Sequence, residues 1–168
     1  MELWDLYDEH RNLVGTDHVR GTELPDHCFH LVIHAWIKNS QGQYLLSQRA
    51  ADRPTYPLLW ECVGGSVLKG ETSLQGTLRE IKEEVGLDLK EDQGTLVFSH
   101  LRTFVGGKKC NDIMDVWLFP YNGEVRLEEA TTKEVVQTKW VTREEIQKLW
   151  DQKLLVPTLD YFFRLDNL

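Results

Sequence analysis

Glu80, Glu83 and Glu84 fill three of five consecutive positions in GGSVLKGETSLQGTLREIKEEVGL, the segment from 64 to 87. On the helix expected over about 72–85, Glu80 and Glu84 are an i,i+4 pair of like charges. Such a pair costs roughly 0.2–0.5 kcal/mol even in water, and more at the edge of a cleft, where screening is weaker. One reading is a solvated acidic face balanced by Arg79 and Lys82. The other is a site for a hard divalent cation, which would relieve the repulsion. Magnesium takes a few carboxylates together with waters and phosphate oxygens. Two features favour the cation. Gly76 lies inside the helix, where glycine costs about 1 kcal/mol relative to alanine, as happens where a backbone passes close to something. Gly64-Gly65 reads as a glycine turn between a strand and the loop returning to the helix, letting main-chain carbonyls and amides approach a ligand.

The elements that must hold these residues follow from periodicity. Leu74, Leu78, Ile81 and Val85 fall within about 60° on a helical wheel and predict a stripe packed on a sheet. The three glutamates occupy a separate arc of about 100°. Thr72 with Gln75 predicts an N-terminal capping box. Upstream, FHLVIHAWIK (29–38) alternates. Leu31, Ile33, Ala35 and Ile37 form an apolar face, and His30, Val32, His34 and Trp36 form the other, as in a buried strand. The turn NSQGQ leads to a strand in YLLSQRA, and LWECVGG predicts one more short strand. Further strands are expected at 94–104, 110–120 and 134–141. T-R-E-E at Thr142 caps a second helix, and Pro157 opens a last short one. LWDLY (3–7) and residues 13–19 read as a hairpin. The pattern is α/β: a mixed sheet covered by helices. Residues 1–26 are expected as a hairpin extension and 27–168 as the main domain.

A chain of 168 residues with 41% hydrophobic composition fits one globular core. The net charge of −8 and pI near 5.2 argue against broad binding to nucleic acid or anionic membrane, which needs a basic face. Cys28, Cys62 and Cys110 are odd in number and form no C-x-x-C pair, so neither a disulfide framework nor a zinc knuckle is expected. No apolar run approaches a membrane span, and the acidic N-terminus lacks the layout of a signal peptide. The expected compartment is the cytoplasm.

The central segment resembles the signature of the Nudix hydrolases, G-x5-E-x7-R-E-U-x-E-E-x-G-U with U aliphatic. It is met in full at Gly65, Glu71, Arg79, Glu80, Ile81, Glu83, Glu84, Gly86 and Leu87. The resemblance implies an α/β/α sandwich and divalent-metal-dependent hydrolysis of a diphosphate linked to some moiety X. The metal would be Mg2+, with Mn2+ as a substitute. Glu80, Glu83 and Glu84 match the metal-binding carboxylates, with the Gly64 carbonyl as an added contact. Glu71 and Arg79 match the pair that braces loop against helix. Glu84 is the first candidate for the general base and Glu134 the second.

Residues 46–60, LSQRAADRPTYPLLW, are similar to part of the isopentenyl-diphosphate isomerases, which share the Nudix fold. Those enzymes use a cysteine beside a G-H-P-like sequence and histidine metal ligands. Here E-C-V-G-G-S places Cys62 nearby with no histidine after it, so hydrolysis is expected. An isomerase-like or isoprenoid-diphosphate-hydrolysing enzyme is one alternative, and a catalytically inactive binding module of the same fold is another. Arg49 and Arg53 flank the loop before the signature and could grip phosphate. His34 could touch substrate if its face lines the cleft, but His30 and His34 are too far apart along a strand to share a metal. Trp36, Trp60, Trp117 and Trp140 are expected mostly in the core. The expected partner is a small diphosphate compound, with no nucleic acid and no membrane. The hairpin edge could pair across a homodimer. The choice of X is expected to lie in residues 50–58, 104–111 and the hairpin.

Overall fold

The alternating and capping signals resolve into a three-layer arrangement in the computed structural model, which describes residues 1–105 and 107–168. In chain order the elements are β1 (Leu3–Tyr7), β2 (Leu13–Val19), β3 (His30–Lys38), β4 (Tyr44–Arg49), β5 (Trp60–Glu61), β6 (Val63–Ser66) and α1 (Ser73–Val85). They continue with β7 (Thr95–Val105), β8 (Lys108–Pro120), β9 (Val135–Val141) and α2 (Arg143–Asp151), followed by a 3-10 helix, Pro157–Arg164. Gly106, in the loop expected to help choose X, lies outside the described residues.

The central strand is β3. It runs parallel to β8 from His30↔Asp112 to Lys38↔Pro120. Its other edge meets two strands, β6 over Val32–Ala35 and β4 only at Lys38↔Tyr44. The segment LWECVGG is therefore two strands rather than one. Trp60-Glu61 pairs with β4, Val63–Ser66 pairs with β3, and the chain crosses between them at Cys62. β9 joins the far side of β4, and β7 closes the opposite end on β8. The parallel β3–β8 pair among antiparallel neighbours makes the sheet mixed.

The two faces of β3 fill two cores. Ala35 and Ile37 pack with Leu45, Phe119 and the α1 residues Ile81 and Val85. Trp36 packs with Leu46, with Ile146 and Leu149 of α2, and with Phe162 of the 3-10 helix. Burying these side chains removes apolar surface from water on both faces, which drives the sandwich together. Trp36 and Trp60 are buried, whereas Trp117 and Trp140 are half-buried. β1 and β2 form a separate two-stranded sheet. Tyr7 and Phe29 exchange backbone hydrogen bonds of 2.8 Å, which dock this hairpin beside β3.

Two expectations about the central segment need correction. Gly64-Gly65 is not a turn, because both residues lie in β6 in extended backbone. A Cβ on Gly65 would stand 2.2 Å from Glu80 Oε1, and one on Gly64 would stand 3.0 Å from His34 Cδ2. The glycines serve close approach from the two opposite faces of the strand. The apolar stripe is also not the whole buried face of α1. Leu74 and Leu78 are half-buried, while Glu80 and Glu84 are only 8% and 4% exposed. The acidic arc lies on the bare backbone that the glycines leave. Gly76 has its own reason, since a Cβ there would stand 3.0 Å from Val67.

No helix among the described residues is long and apolar enough to cross a membrane.

Candidate active site

Helix α1 starts as its capping residues dictate. Thr72 Oγ1 accepts from the Gln75 amide at 3.2 Å, and Gln75 Oε1 accepts from the Thr72 amide at 2.9 Å. This fixed start sets the rotation of Arg79, Glu80, Glu83 and Glu84 about the axis. Arg79 then joins the helix to the preceding loop. Its Nε and Nη2 donate to the two oxygens of Glu71 at 2.7 and 3.1 Å, and Nη2 also donates to the Ser66 carbonyl at 2.9 Å. Glu71 in turn accepts from the Leu68 amide at 2.9 Å. On the acidic side, Arg79 Nη1 donates to Glu80 Oε1 and Glu83 Oε2, both at 2.9 Å. Burial opposes the charge of Arg79, but Glu71 and Glu80 overcome this and hold its pKa above the ordinary value.

Among the described residues, no such cation pairs with Glu84. Its Oε2 accepts one long bond, 3.4 Å, from the Gly64 amide. Burial pushes its pKa well above the usual carboxylate range, and the fields of Glu61, Glu80 and Glu134 add to the shift. Burial likewise pushes Glu80 up to about 7, against the pull of Arg79. Glu61 is raised by burial despite a 2.7 Å ion pair with Arg49.

Glu61 is the site residue that reading the sequence missed. It stands four positions before the signature, flanked by the buried Trp60 and Cys62. A charged residue between two buried neighbours was the signal available. Strand β5 carries it to the side of Glu84.

The arginines expected to meet phosphate hold the site's frame here. Arg49 donates to Glu61 Oε1 and to the Thr55 carbonyl, at 2.7 and 2.9 Å. Arg53 pairs with Glu134 at 2.8 Å. His34 sits across β3–β6 from Gly64 in register. Its Nδ1 is 2.7 Å from Tyr161 Oη, and Trp36 Nε1 donates to the same oxygen at 3.0 Å. Burial keeps His34 neutral, with a pKa lowered to about 3. Cys62 is 1% exposed, and burial pushes its thiol well up.

A cleft of about 670 Å³ opens beside this site between β7, β8 and the 3-10 helix, lined by Tyr56, Phe98, His100, Arg102, Met114 and Tyr161 among others. None of the glutamates above lines it, and the link to them is Tyr161. The rings of His34, Tyr161, Phe98 and His100 form a row with successive centroids 5.6, 6.0 and 5.8 Å apart and interplanar angles of 27°, 30° and 15°. The row runs from His34, packed on Gly64, to the exposed His100 in the cleft wall.

Among the described residues, no three acidic, histidine or cysteine side chains stand together so as to hold a metal ion as they are. Arg79 occupies oxygens of Glu80 and Glu83, and Glu84 turns to the Gly64 amide. The chemistry of the donors nonetheless fits a hard dication. Glu84 is a buried carboxylate among three others, satisfied only by one long amide bond. Such a group is stabilised by a cation or by a proton.

The family model described as NUDIX domain matches residues 29–162. The uncharacterized Nudix hydrolase lmo0368 of Listeria monocytogenes is 37% identical, over 97% of this chain and 91% of that protein. The isopentenyl-diphosphate Delta-isomerase of Salmonella typhi is 23% identical, over 90% of this chain and 82% of that one. Among solved structures, DR0079 from Deinococcus radiodurans superposes with a TM-score of 0.72 at 22% identity, covering 93% of each chain.

Proposed function

This chain belongs to the Nudix family as a pyrophosphohydrolase, and we propose that it is a divalent-metal-dependent hydrolase of nucleoside diphosphate derivatives or similar small diphosphates. The observation that carries the reading is Glu84, a buried carboxylate without a cation, set between Glu61, Glu80 and Glu134. Glu80, Glu83 and Glu84 would hold a magnesium ion, with the Gly64 carbonyl as a further donor. When bound, the ion would neutralise the diphosphate and supply Lewis acidity.

The chain's own residues would do the rest. Glu84 Oε would accept the proton of the attacking water. Glu134 is the second candidate for that role, although Arg53 holds its carboxylate at 2.8 Å. The Glu71–Arg79–Ser66 brace would keep α1 and β6 at a fixed distance, so the carboxylates meet substrate in one geometry. The cleft beyond Tyr161 would take X. Its mix of aromatic rings with Arg102, His100 and Asp160 suits a polar ring better than a prenyl tail. The charge of −8 supports a small substrate over nucleic acid.

The isomerase reading needs a reactive thiolate, and the buried, up-shifted Cys62 opposes it. The test is a magnesium- or manganese-supplemented panel of nucleoside diphosphate derivatives and isopentenyl diphosphate, with products identified. Hydrolysis that releases phosphate or a monophosphate supports the proposal. Dimethylallyl diphosphate formed without phosphate release indicates isomerisation. No turnover on any substrate would support a binding module.

A further inference from the structure

We propose that Tyr161 is a positioning residue that fixes the proton of His34, so that His34 presents Nε2–H to an oxygen of the bound diphosphate. The inference rests on the hydrolase reading above and adds a donor to it.

One hydroxyl proton is shared among three polar groups. Strand β3 places His34 and Trp36 two residues apart on one face, and both reach Tyr161 Oη, at 2.7 and 3.0 Å. An indole N–H only donates, so the bond from Trp36 occupies a lone pair of Oη. The hydroxyl has one proton to place. Cys62 is the other neighbour of this oxygen, and a thiol sulfur accepts far more weakly than an imidazole nitrogen. The proton therefore goes to His34 Nδ1, and the imidazole carries its own proton on Nε2. That edge lies over Gly64, where a Cβ would stand 3.0 Å from Cδ2 and 3.6 Å from Nε2. Gly64 keeps the approach clear, and its amide is the group that Glu84 touches. The donor thus faces the strand segment at which Glu84 is held.

A packing role for Tyr161 predicts none of the following. In the metal-free protein, nitrogen-15 NMR of the histidine rings, assigned by the signal lost in His34→Gln, should show His34 protonated on Nε2. Tyr161→Phe should shift it toward the Nδ1–H form. The affinity for a methylene-bridged nucleoside diphosphate with magnesium should separate two variants. His34→Gln places an amide near the Nε2 position and should stay within about threefold of the parent. His34→Asn places it near Nδ1 and should weaken binding at least about tenfold, the value of one hydrogen bond to a charged group. Turnover of the same variants should show the loss mainly in KM. A wild-type Nδ1–H tautomer overturns the inference. So does equal behaviour of the Gln and Asn variants, or no binding of the probe. A wild type that binds the probe with this pattern yet hydrolyses no diphosphate sinks the hydrolase reading and leaves the inference standing.

Discussion

Glu84 is the side chain on which stability and activity conflict. A charged carboxylate buried with a single 3.4 Å amide partner is costly when no cation is near. Glu84→Gln should therefore raise the melting temperature of the metal-free protein while lowering turnover at least about a hundredfold. Glu83 is 34% exposed and already paired with Arg79, so Glu83→Gln should lose turnover to a similar degree without gaining stability. Thermal melts with and without magnesium, beside steady-state rates, distinguish the two. Glu80 sets a pH dependence. Burial holds its folded pKa up at about 7, against 4.5 for an ordinary glutamate. The folded protein keeps the proton that the unfolded chain releases. Its contribution to stability is thus full below about pH 4.5 and is lost as pH rises toward 7, by up to about 1.4 kcal/mol per pH unit. Urea titrations of metal-free wild type and Glu80→Gln should diverge across that window. Parallel curves would refute the assignment.

Strand β6 and helix α1 fit together only because β6 is bare. Gly65→Ala would drive a Cβ to 2.2 Å from Glu80 Oε1, so it should cost about 1–3 kcal/mol in a urea titration and reduce magnesium affinity by displacing that carboxylate. The capped helices and the alternating strand were legible because their codes are local. Thr72 with Gln75, Thr142 with Glu145, and the period-two face of 31–37 each span a few residues. The signature at 65–87 was legible for the same reason. The split of LWECVGG at Cys62 was not, since it depends on which strands Trp60 and Val63 find as partners. Burial of Glu80 and Glu84 was hidden too. Their charge spoke for solvent, and only the unseen glycine face across from them explains their place. Glycines at 64 and 65 announced freedom, but not what approaches them. The pair Arg49–Glu61 closes across the loop between β4 and β5, and Arg53–Glu134 joins residues far apart in the chain, so no helical or strand spacing rule reaches either.

The hairpin is fastened to the body by charge as well as by strand contacts. Arg11, in its turn, donates to the buried Asp115 of β8 through Nη1 at 2.8 Å and through Nη2, and Ser99 Oγ donates to the same carboxylate at 2.7 Å. Burial alone would raise Asp115, but these bonds hold it below the usual carboxylate range. Arg11→Ala should cost about 2 kcal/mol, less than a fully buried pair, because the Arg11 side chain is 39% exposed. This stabilisation is present above the ordinary aspartate pKa of 3.8 and is lost as pH falls through the depressed one. Wild type and variant should therefore converge in acid in a urea titration repeated along pH. The same clip also bears on how the chain reaches its native state. Its two ends are 104 residues apart, so at roughly 5–20 residues per second the ribosome would deliver the arginine on the order of ten seconds before its aspartate. Strands β1 and β2 can dock early on β3 through Tyr7 and Phe29, but the Arg11 clip stays open until β8 is made, so the hairpin is held by fewer ties over that interval.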